Sequence, residues 1–133
     1  MHPFRAAVEA DDFEAIPALL AEDVTFRSPV AFRPYEGRAL VGAILSGVGR
    51  VFTDFSYVRE FAGADGRDLA LEFTARIDDR EVHGCDFLHL DEDGLITDFA
   101  VMLRPLSAAQ AMAERMGAQF EAIKADAAAR IAG

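Results

Sequence analysis

Asp86 is the side chain in this sequence best suited to do chemistry. It lies in the run Val82-His83-Gly84-Cys85-Asp86-Phe87-Leu88-His89. Alternation along a strand puts Asp86 on one face with Val82, Gly84 and Leu88. A carboxyl among such neighbours is costly to ionise, so its pKa should rise and leave it able to give or take a proton near neutral pH. The competing reading is a structural aspartate bonded to Ser28, Tyr57 or an arginine. His83, Cys85 and His89 fall on the opposite face, so a His83–Asp86 dyad would need a bulge. Those three suit a metal poorly. Alternate strand residues lie about 6.5–7 Å apart, and His83 to His89 spans about 20 Å. No metal is expected. Ser28 lacks a Gly-x-Ser-x-Gly elbow and has no histidine beside it in sequence. Cys85 neighbours Asp86, and a carboxylate raises a thiol pKa. Both therefore read as structural. Arg27, Tyr35 and Tyr57 are polar candidates for a pocket or its rim. Gly47-Val48-Gly49 has neither the third glycine of a dinucleotide loop nor a Gly-Lys-Ser/Thr run, so a nucleotide cofactor is not expected.

The elements that must position these residues are legible in the hydrophobic period. Asp11, with Glu14 three residues on, predicts a capped helix carrying Phe13, Ile16, Leu19 and Leu20 on one face, distorted by Pro17. Val24 to Ser28 reads as a short strand ended by Pro29, and Val30 to Gly37 as a loop. Arg38 to Phe52 returns to helical spacing through Leu40, Val41, Ile44, Leu45, Val48, Val51 and Phe52. Gly42, Gly47 and Gly49 weaken it, and close packing against a sheet would explain them. From Phe55 the period drops to two. Strands are expected over Phe55–Phe61, Leu69–Arg76, Val82–His89 and Leu95–Leu103, joined by short acidic turns into an antiparallel meander. After Pro105, Ser107 should cap one terminal helix bearing Met112, Met116, Phe120 and Ile123, with a fraying Ala-rich tail after Asp126. Helices, a strand, a helix and a meander make an α+β plan with helices on one face of a curved sheet.

Composition narrows the classes of function. The chain has 133 residues, which fits one domain over residues 1–133, and 52% are hydrophobic, enough for a core. Thirteen basic against twenty-three acidic residues give a net charge of −10. So acidic a surface disfavours nucleic acid and anionic membranes as partners. A single cysteine excludes an intrachain disulfide and a zinc site built from several cysteines. Met1 to Arg5 lacks the apolar run of a signal peptide, and no stretch reaches about 18 apolar residues, so a cytoplasmic location is expected.

Three stretches resemble a known family. Asp12 to Ile16, running into Leu20-Ala21-Glu22-Asp23-Val24-Thr25-Phe26-Arg27-Ser28-Pro29, looks like the opening of nuclear transport factor 2-like proteins. Tyr35-Glu36-Gly37-Arg38 looks like the start of their third helix, and Asp86 to Ile96 like their late strand, turn and strand. The resemblance covers roughly residues 4 to 104 and is strongest to the SnoaL-like branch of polyketide cyclases and ketosteroid isomerases. It implies a cone-shaped α+β fold, often dimeric through the outer sheet face, with an apolar pocket inside. Carried over by residue, the base position of a steroid isomerase falls on Ser28 and its helix tyrosine on Phe4. The aspartate that donates to the oxyanion matches Asp86. Ordinary ketosteroid isomerisation is therefore not expected. The arginine that limonene-epoxide hydrolases place two residues before this aspartate is here Gly84. The acid or base of polyketide cyclases matches Asp86.

These readings converge on a small-molecule protein needing no cofactor. A small apolar, oxygen-containing molecule is expected in a cavity lined by Leu69, Leu71, Phe73, Asp86, Leu88, Phe99, Val101 and Leu103. Phe4 and the Leu40–Phe52 helix would close it, with Ser28 and Tyr57 as polar groups. Asp86 would serve isomerase, cyclase or hydrolase chemistry. The alternative is a non-catalytic dimerisation or ligand-binding module with a vestigial pocket. The outward set Glu72, Thr74, Arg76, His83, Cys85, Phe87, His89, Ala100 and Met102 suits a homodimer interface of mixed polarity.

Overall fold

The structure is a computed structural model that describes residues 2–132. Met1 and Gly133, the ends of the expected domain, lie outside the described residues. Helix α1 spans Pro3–Glu9, two short 3-10 turns cover Phe13–Ala15 and Pro17–Leu19, and strand β1 runs Leu20–Arg27. There follow β2 (Tyr35–Glu36), α2 (Arg38–Val51), β3 (Thr53–Ala62), β4 (Asp68–Ile77), β5 (Arg80–Leu90), β6 (Ile96–Arg104), α3 (Leu106–Ala118) and α4 (Phe120–Ala132). The α+β plan holds, with β3 to β6 forming the expected antiparallel meander.

All six strands join one sheet in the order β2-β1-β6-β5-β4-β3. Its two ends, β2 and β3, do not meet. Strand β1 lies parallel to β6, a pairing the meander pattern does not encode. Register shifts within the β1/β6, β3/β4 and β5/β6 ladders bend the sheet, as bulges do. The inner face is dry: Leu71, Phe73, Ile77, Val82, Leu88 and Phe99 are each at most 2% exposed. The helices supply the other half of this core.

Four local expectations are corrected. The helix expected from Asp11 is two 3-10 turns. Pro17 has no N–H and its ring opposes the carbonyl four residues back, so a continuous helix cannot pass through it. Leu20 belongs instead to β1, which is longer than expected. The first true helix is α1, with Pro3 in its first turn. His2 caps it: the Phe4 N–H donates to His2 Nδ1 at 3.0 Å, and His2 Nε2 lies 3.1 Å from the carbonyl of Gly94. Residues 35 and 36, expected in a loop, form the edge strand β2.

The third correction concerns the chain end. It is two helices, broken at Gln119, and Ser107 makes no capping bond. The last helix stays ordered to Ala132 because Ile123 and Ala127 are buried and Arg130 bonds Asp126 and Ser46, each at 3.2 Å. The fourth concerns the glycines of α2, which face other helices and turns rather than the sheet. A Cβ on Gly47 would lie 2.9 Å from Ile123 of α4, and one on Gly49 would lie 2.6 Å from the Phe13 ring. Two side chains thus occupy space that any other residue type would fill.

Candidate functional site

Strand β5 sits between β4 and β6, with Leu71, Asp86 and Val101 in register across the three. That register turns Asp86 inward beneath the helices, where it is 7% exposed and the one buried polar or charged side chain among the described residues. Strand β3 brings Tyr57 to the same place. Its hydroxyl donates to Asp86 Oδ2 at 2.9 Å. The phenol is fixed by its neighbours: Phe55 meets the ring edge-on at a centroid distance of 4.9 Å, and the Arg5 guanidinium carbon stands 5.6 Å from its centroid. Arg5 is held by Glu60 at 3.0 Å and Glu9 at 3.4 Å.

Burial pushes the Asp86 carboxyl up to about 7, against the opposing pull of the Tyr57 hydrogen bond. Burial, followed by the Asp86 charge, raises the Tyr57 phenol well above its usual value. Tyr57 is therefore a fixed hydrogen-bond donor, while Asp86 changes protonation near neutrality. Because Oδ2 accepts from Tyr57, the acid proton of neutral Asp86 belongs on Oδ1.

A cavity of about 380 Å³ opens beside this pair. Of the residues expected there, Phe4, Ser28, Tyr57, Asp86, Phe99 and Val101 border it. Leu69, Leu71, Phe73, Leu88 and Leu103 do not. They share the inner face, as alternation required, but the space above them is filled. Phe73 is roofed by Phe55 at 4.8 Å and Phe52 at 5.5 Å between ring centroids. Gly84 lets Phe73 and Leu103 approach so closely that an added Cβ would sit 2.5 Å and 2.8 Å from them. The cavity instead extends under α2 and the terminal helices.

Sequence reasoning missed much of that wall. Val8, Glu9, Asp11, Phe13, Phe26 and Phe55 border the cavity, as do Met112, Met116, Phe120 and Ile123, whereas Tyr35, also at the wall, was among the polar candidates. The Met112, Met116, Phe120 and Ile123 stripe was the available signal: an apolar helical face must lie against something, and here it lies against the void as well as the core. Ser28 is at the wall but turned to its own loop, its Oγ accepting the Val30 N–H at 3.0 Å.

The outer face carries a separate charge system. Arg59 and His83 both donate to Glu72, the His83 Nε2 from 2.6 Å, and Arg104 approaches His83 Nδ1 at 3.4 Å. Hydrogen bonds from Arg59, then His83, hold Glu72 down to about 2. His89 pairs with Asp68 at 2.6 Å. Burial first, and then the charges of Asp86 and Glu72, raise the Cys85 thiol, so it is no activated nucleophile.

The SnoaL-like domain family matches residues 2–99, and the chain belongs to it. Among solved structures, a steroid delta-isomerase from Pseudomonas aeruginosa is 44% identical, with a TM-score of 0.88 over 92% of this chain and 90% of its own. A protein with a cystatin-like fold from Silicibacter pomeroyi DSS-3 is 40% identical, with a TM-score of 0.82 over 90% of this chain and 86% of its own. At 23% identity and a TM-score of 0.63, the epoxide hydrolase/cyclase-like enzyme SalBIII shares the fold over 76% of this chain and 84% of its own. No match was found among curated proteins. Among the described residues, no helix is long and apolar enough to cross a membrane.

Proposed function

We propose that this SnoaL-like protein binds a small, largely apolar, oxygen-bearing molecule in the cavity and that Asp86 exchanges a proton with it. The observation that carries this is the Tyr57–Asp86 pair, a carboxyl poised near neutrality at the wall of an aromatic cavity. Neutral Asp86 donates from Oδ1 to a ligand oxygen, and ionised Asp86 takes a proton from an acidic carbon or hydroxyl. Tyr57 holds the carboxyl still while this happens. Such proton transfer runs without a cofactor and serves isomerase, cyclase or hydrolase chemistry. The 44% identity to a protein named steroid delta-isomerase supports the isomerase member of that set. Ser28 and Phe4, at the positions of the expected base and phenol, argue against the ordinary steroid reaction.

Native mass spectrometry with a panel of apolar ketones, epoxides and lactones, followed by turnover assays of those that bind, tests this reading. Binding that weakens at least about tenfold in Asp86→Asn is expected, since the proton donor at the ligand oxygen is altered. Binding indifferent to that change would place the ligand elsewhere. The second reading, a non-catalytic binding module, is favoured by Ser28: no second carboxyl stands where the family's base would. Retained binding with no turnover of any panel member would select it.

We further propose a cytoplasmic homodimer through the outer sheet face. Phe61, Phe87 and Met102 are exposed there at 55%, 41% and 62%, and Ala70 and Ala100 flank Phe87 in register. That is a larger apolar patch than scattered surface residues make. Light scattering at micromolar concentration should give twice the monomer mass, and a clean monomer would contradict it.

A further inference from the structure

The two terminal helices cover the cavity, and the second is lightly held. Met112 and Met116 of α3 border the cavity, as do Phe120 and Ile123 of α4. Of the 13 residues of α4, only Ile123 and Ala127 are buried. The helices break at Gln119, whose backbone departs from helical geometry at φ −111° and ψ 10°. Its side chain moors the break to α2. Nε2 donates to the Gly47 carbonyl at 2.9 Å, and Oε1 accepts from Arg50 Nε at 3.2 Å and Nη2 at 3.1 Å. The next residue, Phe120, leans on Tyr35 of the edge strand β2, with ring centroids 6.4 Å apart. Both rings are half-buried and both border the cavity. They span the seam between the sheet edge and the helical cover. The far end of α4 is tied separately, by Arg130 to Ser46 at 3.2 Å.

Swinging the first turn of α4 about Gln119 parts these rings and opens the seam without breaking any strand ladder. Weakly buried segments of this kind open locally at small cost. We propose that Phe120 and Tyr35 form the gate of the cavity, hinged at Gln119 and latched by its bonds to Arg50 and Gly47. This rests on the reading of the cavity as a ligand site and adds the route of entry. Neither Gln119 nor Arg50 borders the cavity, so the latch sets how fast a molecule passes and not what holds it inside. It closes over the empty and the filled cavity alike, so its loss favours opening in both states.

Stopped-flow fluorescence of the uncharged ketone dye Prodan with the full chain tests the gate. In Gln119→Ala the association and dissociation rates should each rise about tenfold, with Kd changed less than about threefold. Arg50→Gln, at an exposed residue, should raise both rates about threefold. Arg130→Gln, at the far end of α4, should change neither. A purely structural role for Gln119 would speed dissociation alone, so unchanged association in Gln119→Ala and Arg50→Gln overturns the gate. Acceleration by Arg130→Gln equal to that by Gln119→Ala places the motion in the whole helix and overturns the hinge. Hydrogen exchange without ligand reads the hinge directly. Amides of residues 123–127 should exchange about tenfold faster in Gln119→Ala, while those of β4 and β5 hold. Exchange unchanged there overturns the hinge whether or not Prodan binds, and failure of Prodan to bind the native protein overturns the cavity reading instead.

Discussion

Glu72 and Asp86 lie one step apart on the β4–β5 ladder, where Glu72 faces Cys85 and Leu71 faces Asp86. Alternation sends them to opposite faces of one sheet, and their protonation diverges accordingly. Glu72, on the outer face, accepts from the Arg59 guanidinium and from His83 and is held near 2. Asp86, on the inner face, has one neutral phenol and sits near 7. The sheet backbone is the same for both. Partner charge and water decide whether a carboxyl is a permanent anion or a group that trades protons. The outer site spends its charge on holding strands together, while the inner one keeps its proton available.

The largest effect that would break this contrast comes from Asp86→Asn. Unfolded, an aspartate ionises near 3.8; folded, Asp86 does so near 7. Its folded pKa is raised, so the stability it gives is fully present below about 4 and lost as pH rises to about 7. The loss above that pH is up to about 4 kcal/mol. The asparagine variant escapes it. Thermal melts at pH 8 should therefore find Asp86→Asn more stable than the native protein, with the difference vanishing near pH 4. A variant that melts lower at pH 8 would show Asp86 to be a structural hydrogen-bond hub.

The smallest effect is on the other face. Glu72 has a lowered pKa, so its contribution is present above about 4.5 and lost as pH falls toward 2. Its partner Arg59 is largely exposed. Glu72→Gln should lower the melting temperature by about 2 °C or less at pH 7. The difference should shrink with added salt. A drop as large as the gain at Asp86 would erase the distinction between the two faces.

Much of this contrast was legible in the chain. Period-two alternation from Leu69 to Leu103 assigned each side chain to its face, and Asp86 stood out because Val82, Gly84 and Leu88 share its side. The partner could only be narrowed. Ser28, Tyr57 and an arginine were equal candidates, and the choice depends on the β3–β4 register, which includes shifts between Thr53 and Ser56 and between Tyr57 and Arg59. The cavity's position was not legible either. Leu69, Leu71 and Leu88 have the same inward pattern as Phe99 and Val101, and only the placing of the helices separates filled space from void. Helix α1 did leave a signal in Pro3, but a seven-residue element has too few turns for periodicity to speak.

That short helix has a thermodynamic consequence. Seven residues do not sustain a helix alone in water. Its order is borrowed from Phe4, whose ring meets Phe99 edge-on at 5.1 Å, from buried Ala7, and from the His2 cap that ties it to Gly94. Phe4, Val8 and Glu9 are also cavity wall. Opening of α1 and filling of the cavity would therefore be linked equilibria: a molecule resting on Phe4 would slow hydrogen exchange along residues 4–9, and whatever frays that helix would weaken binding by the same factor.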